Sequence, residues 1–139
     1  MAVRLRLRIQ RGDRVVEAIA LVNSGYEADS PQLMIPIPIA KALGLWPPPP
    51  EARERVFETA GGPVRVWFIE KCAKVRVIAE DVESRDVEVD IAISQYIDEA
   101  LISDILTGEL EIVLENVAKG LWRFSWDPPG KLRKSEKRH

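Results

Sequence analysis

The chain lacks most of the side chains that hydrolases and metalloproteins depend on. Among 139 residues there is one cysteine, Cys72, and one histidine, His139, at the last position. A lone cysteine closes no internal disulfide, which excludes a disulfide-stapled secreted scaffold. A single terminal histidine removes Ser-His and Cys-His catalysis, and with one thiol it leaves no histidine- or thiolate-based metal site. Long apolar runs are missing too: Ala18 to Val22 is five residues, and Leu33 to Ala40 is eight with two prolines inside. A membrane span needs about 18 or more. The first residues alternate arginine with aliphatics and show no apolar signal core, so no leader and a cytoplasmic location are expected. Amides are scarce as well, with two asparagines, Asn23 and Asn116, and three glutamines. Depletion of labile amides alongside abundant Glu and Arg is a thermophile-like composition, and it makes each retained asparagine worth locating.

What is present suffices for a core. Hydrophobic residues make up 46% and charged residues 30%, which fits one folded domain and excludes global disorder. The net charge of −2 is unevenly spread: Lys131 to His139 holds five basic residues and one acid, +4, leaving −6 on residues 1–130. The sequence therefore predicts a single domain over 1–130 and a basic, disordered tail over 131–139. Nucleic-acid contact through that tail, or through Arg4, Arg6 and Arg8, is an alternative that the acidic body disfavours. Glu80, Asp81, Glu83 and Asp86 match no calcium-loop spacing and read as a solvated hairpin. No motif implies a cofactor or a metal.

Hydrophobic periodicity predicts mostly strands. Val3 to Ile9 alternates strictly, with three arginines on its wet face; Arg11 to Arg14 is a turn; and Val15 to Val22 returns. The second strand ends in an unbroken apolar run that delivers Asn23-Ser24-Gly25 directly at its end. Gln32 to Ile35 is a short extended segment, Pro38 opens a two-turn helix, and Gly44 stops it. Pro47 to Pro50 is a stiff polyproline-like spacer. Val56 to Thr59 and Val64 to Phe68 flank a hairpin tip, Ala60-Gly61-Gly62-Pro63. Lys74 to Ala79 and Val87 to Ile93 are further strands, Ala100 to Leu106 is a short helical turn, and Leu110 to Leu114 with Leu121 to Trp126 forms a last hairpin. Such a series of short strands with two brief helices describes a mainly-β barrel or sandwich.

The order of these elements resembles the retropepsin-like aspartic protease family, whose half-site reads hydrophobic-hydrophobic-Asp-Thr/Ser-Gly. The residues that carry the likeness are Leu21-Val22-Asn23-Ser24-Gly25, Ile35-Pro36, Leu43-Gly44-Leu45, the Gly61-Gly62 hairpin and Ala100-Leu101-Ile102-Ser103-Asp104-Ile105-Leu106, spanning roughly residues 14 to 126. The resemblance implies a closed β-barrel with two short helices. One triplet per chain also implies a homodimer with its cleft on the twofold axis. In such a cleft two aspartates share a proton and activate water. Ser24 would bond across the dyad, Gly25 would admit close backbone approach, and Ala60, Gly61 and Gly62 would form a flap over a bound peptide.

Two positions depart from the pattern. Asn23 stands where the family keeps its catalytic acid, and an amide is no general base near neutral pH. Ser103 replaces the glycine with which the distal helix opens in the family, implying an altered floor under the loop. Asn23 has three readings: a turn residue capping backbone groups, part of a cleft that binds a peptide or other ligand without cleaving it, or a divergent peptidase with residual hydrolysis that draws on Glu27, Asp29 or an Asp formed by deamidation of Asn23. The expectation is a degenerate, non-catalytic member that binds a peptide or protein partner at a homodimer axis. Its candidate binding residues are Asn23, Ser24, Gly25, Glu27, Asp29, Ala60, Gly61 and Gly62, with no confident catalytic residue. Cys72, beside Lys71 and Lys74, is either a low-pKa thiol or a small core residue. Trp67 is a candidate ligand wall.

Overall fold

The computed structural model describes residues 2–138 and is mainly β. Strand β1 (Arg4–Arg11) pairs antiparallel with β2 (Arg14–Val22) through a turn at Gly12, whose φ of 60° suits glycine. The alternation read from the sequence sets the faces: Leu5, Leu7 and Ile9 are buried, while Arg4, Arg6 and Arg8 lie on the outside. β2 runs parallel to β7 (Ala100–Ile102), which pairs antiparallel with β3 (Gln32–Ile35). β3 runs parallel to β6 (Val87–Ile93). β6 pairs with β5 (Gly62–Val77), and β5 returns to β1, so six strands close a barrel. The remaining strand, β4 (Arg53–Thr59), pairs only with β5 and projects with it as a hairpin.

Closure depends on β5, a 16-residue strand covering the two separate segments expected from the sequence. It joins them through a bulge between Ile69 and Ala73, where Lys71 has a φ of 45° and its N–H donates to Asp90 Oδ1 at 2.8 Å. The bulge bends the strand, so that its first half builds the hairpin and its second half pairs with β1.

Helix α1 (Ile37–Ala42) begins after Pro36 and ends at Gly44, whose φ of 73° provides the stop. Helix α2 (Asp104–Glu109) begins later than expected. Ala100 to Ile102, read as helical, is strand β7, because β2 and β3 flank it and its apolar side chains fill the gap between them. β8 (Ile112–Asn116) and β9 (Leu121–Phe124) form the expected last hairpin. Ile112, Trp122 and Phe124 join the barrel's own core.

The tail differs from the expectation of disorder. Arg133–Lys134 is a strand, β10, on the edge of β9. The Arg133 side chain, 8% exposed, lies between Asp127 and Asp81 and over the Trp122 and Phe124 rings. Farther on, Glu136 N–H donates to Arg4 O, and Arg138 pairs with Asp98 and Glu99. Three of the basic residues that suggested a solvated end, Lys131, Arg133 and Arg138, find carboxylates. The expectation for His139 lies outside the described residues.

Candidate functional site

An open cleft of about 970 Å³ lies between the loop after β2 and the β4–β5 hairpin. The apolar part of its lining has Tyr26 and Met34 buried and Phe57, Val64 and Leu101 half-buried. Tyr26 on the loop and Phe57 on the hairpin meet edge to face at 6.0 Å, so the two sides form one satellite cluster beside the main core.

The loop is held at both ends. Asn23 N–H donates to Ile102 O at 3.1 Å, and Tyr26 N–H returns to Asn23 O at 3.0 Å. Asn23 Oδ1 accepts the Gly25 N–H at 3.1 Å, a local turn closed by the side chain. A Cβ on Gly25 would sit 3.3 Å from that same oxygen, which is why the tight turn favours glycine. Beyond it, Asp104 N–H donates to Tyr26 O, and the Asp104 carboxylate accepts the Ala28 N–H, both at 2.9 Å.

Beneath lies Ser103, fully buried. Its hydroxyl oxygen accepts the Leu106 N–H at 3.2 Å, capping α2, and the Gln32 N–H at 3.1 Å. Ser103 N–H donates back to Gln32 O at 3.1 Å, and Gln32 Oε1 accepts the Tyr26 hydroxyl at 2.9 Å. The altered floor expected at this position is thus a polar stitch joining β3, α2 and the loop.

The cleft's chemistry is that of an acceptor- and donor-lined groove. Burial, with the charge of Asp90, pushes the Tyr26 phenol well above its ordinary range, so it remains a proton donor. Asn23 offers an oxygen already engaged and an amide nitrogen with no partner among the described residues. Neither group takes a proton from water near neutral pH.

Of the residues singled out from the sequence, Asn23, Gly25, Glu27, Asp29 and Ala60 line this cleft. Ser24 is exposed beside it, and Gly61 and Gly62 lie at the hairpin tip without lining it. Gly62 has a φ of 106°, and Thr59 Oγ1 donates to its carbonyl at 2.7 Å, closing the tip. Trp67 lines not this cleft but a hollow of about 570 Å³ with Trp46, which shares Val64 and Tyr96 with the cleft. Missed from the sequence were Tyr26, Phe57, Gln32 and Asp104. Only Asp104 left a signal, as an acid directly after a capping serine.

Other candidates resolve into structure. Cys72 is half-buried, and burial pushes its thiol up, opposite to an activated thiolate. Glu83 and Asp86 hold Arg76 at 2.8 and 2.7 Å. On the arginine face Arg4 pairs with Glu99, Arg6 with Glu17 and Glu136, and Arg8 with Glu17 and Glu83. That face is therefore charge-matched by the protein itself. Among the described residues, no group of three or more His, Cys, Asp or Glu side chains is placed to hold a metal ion, and no helix is long and apolar enough to cross a membrane. No protein-family model matches the chain, and no curated protein matches its sequence.

Proposed function

We propose that this barrel is a non-cleaving, retropepsin-like protein that holds an extended peptide between the Asn23 loop and the β4–β5 hairpin. The observation that carries this reading is that one cleft joins Asn23 and Gly25 to the hairpin residue Ala60, across an apolar floor of Tyr26, Met34 and Phe57. Main-chain groups of a ligand would find the Asn23 amide and loop backbone as partners, and its side chains would enter the apolar wall. Ser24, exposed and without a side-chain partner among the described residues, suits a twofold contact in which two chains complete one groove. Catalysis drops out because two facing amides share no acidic proton.

Hydrogen exchange in the presence of an unfolded carrier protein tests the reading. Protection confined to residues 23–29 and 57–64, with the carrier left intact, is the expected result. Cleavage of the carrier by the wild-type protein, abolished by Asn23→Ala, would overturn the non-catalytic assignment. Sedimentation as a monomer at micromolar concentration would remove the twofold groove.

A further inference from the structure

Carboxylates outnumber cations in the lining of the cleft. Four carboxylates line it, Glu27, Asp29, Glu58 and Asp104, against one guanidinium, Arg55. Arg55 is already engaged: it lies 3.8 Å over the Phe68 ring and 3.9 Å from Glu70. Asp104 is occupied by the Ala28 and Ile105 N–H groups. Glu27, Asp29 and Glu58 are exposed and make no ion pair among the described residues. Outside the cleft Glu17, Glu83, Asp86, Glu99, Glu115 and Asp127 each hold an arginine, while Asp13, Glu51, Glu80, Glu88 and Glu111 stand exposed on other parts of the surface.

The unneutralised acids thus stand on both sides of one groove, Glu27 and Asp29 on the loop and Glu58 on the hairpin. Like charges gathered around a low-dielectric floor make a negative field that draws cations and repels anions. Resting on the peptide-binding reading above, we infer that the occupant of this cleft is a basic peptide: an extended segment whose apolar side chains face Tyr26 and Phe57 and whose arginines or lysines meet Glu27, Asp29 and Glu58. An acidic peptide of the same shape would place like charges opposite each other and be rejected.

The test uses three fluorescein-labelled nine-residue peptides of one apolar pattern, carrying Arg, Gln or Glu at the intervening positions. Anisotropy is read with the full-length protein at about 50 and 300 mM salt. The Arg peptide is expected to bind tightest and to lose affinity in the higher salt. The triple variant Glu27→Gln, Asp29→Asn, Glu58→Gln alters only exposed side chains. It should weaken the Arg peptide by about tenfold, as three exposed ion pairs of ordinary strength would, and leave the Gln peptide unchanged. Phe57→Ala should weaken the Arg and Gln peptides alike.

Equal binding of all three peptides, lost in Phe57→Ala, would keep the cleft as a peptide site and overturn the charge selection. An Arg peptide that binds the triple variant as tightly as wild type would also overturn it, since its charge contacts would then lie elsewhere. Binding of none of the peptides would overturn both the selection and the reading on which it rests.

Discussion

Ser103→Ala is the sharpest probe of how the cleft is supported. The hydroxyl oxygen of this fully buried residue accepts two main-chain N–H groups, from Leu106 at 3.2 Å and from Gln32 at 3.1 Å. Its removal uncaps α2, a loss of about 1 kcal/mol. It also leaves the Gln32 N–H buried without that acceptor, a further ~1–2 kcal/mol. The expected loss is therefore about 2–3 kcal/mol. With an m-value in urea of about 2 kcal/mol/M, the unfolding midpoint should fall by ~1–1.5 M at unchanged m. Ser103→Gly should lie slightly above Ser103→Ala, because glycine is a tolerable cap while the Gln32 amide is still orphaned. Hydrogen exchange should accelerate first in residues 23–29, whose Tyr26 side chain hangs from Gln32. A loss below about 0.5 kcal/mol for Ser103→Ala, with residues 23–29 still protected, would refute the stitch as the support of the loop.

Three other outcomes are expected. Asn23→Asp should gain cleavage of unfolded substrates at acidic pH, sensitive to pepstatin; a folded dimeric variant without it would count against the retropepsin-like reading. Gly25→Ala should cost only about 0.5–1 kcal/mol in thermal unfolding yet weaken peptide binding several-fold, because its Cβ at 3.3 Å pushes on Asn23 Oδ1; unchanged affinity would mean the turn is not part of the site. The Arg133 side chain holds the Asp81 carboxyl down to about 2, and Asp127 also below its ordinary range. Folded values below the unfolded value of about 3.9 mean that this stabilisation is present above pH ~4 and lost as pH falls toward ~2. Arg133→Met should therefore unfold more easily at neutral pH and show a shallower decline in that acid window, followed by urea titrations at stepped pH.

The sequence made some of these features legible and hid others for physical reasons. Strict alternation over Val3 to Ile9 exposed the first strand, because a strand with one wet face must alternate. Gly44 and Gly62 marked a stop and a tip, because backbone at positive φ favours glycine. Ala100 to Ile102 misled because three apolar residues before a helix carry no periodicity of their own; only the two flanking strands decide their conformation. β5 read as two strands because its bulge, with Lys71 at a φ of 45°, breaks the alternation without any glycine or proline to announce it. The tail misled because local composition cannot reveal that Asp81, 52 residues away, waits for Arg133. In the site, Asn23 was visible as a rare amide directly after an apolar run, of which Ile19, Ala20 and Val22 are buried. Gln32 and Phe57 were not, since their importance lies in what they touch across the fold.

The acid-rich cleft also gives Asn23 a physical sense that its turn alone does not. The turn needs only an oxygen to accept the Gly25 N–H, and aspartate would supply one equally well. An aspartate, however, would add a carboxylate to a groove already holding Glu27, Asp29 and Glu58 without counter-charges, and in a dimer it would add two on the axis. Shared protonation would neutralise one of that pair, as it does where two carboxylates face each other. In a groove of this sign, the remaining charge would raise the cost of leaving the site empty. An amide keeps the oxygen for the turn and offers its N–H donors to a peptide carbonyl, at no cost in charge. Under the proposed reading, negative charge on the rims for arginines to meet and an uncharged Asn23 for the main chain to cross would be parts of one arrangement.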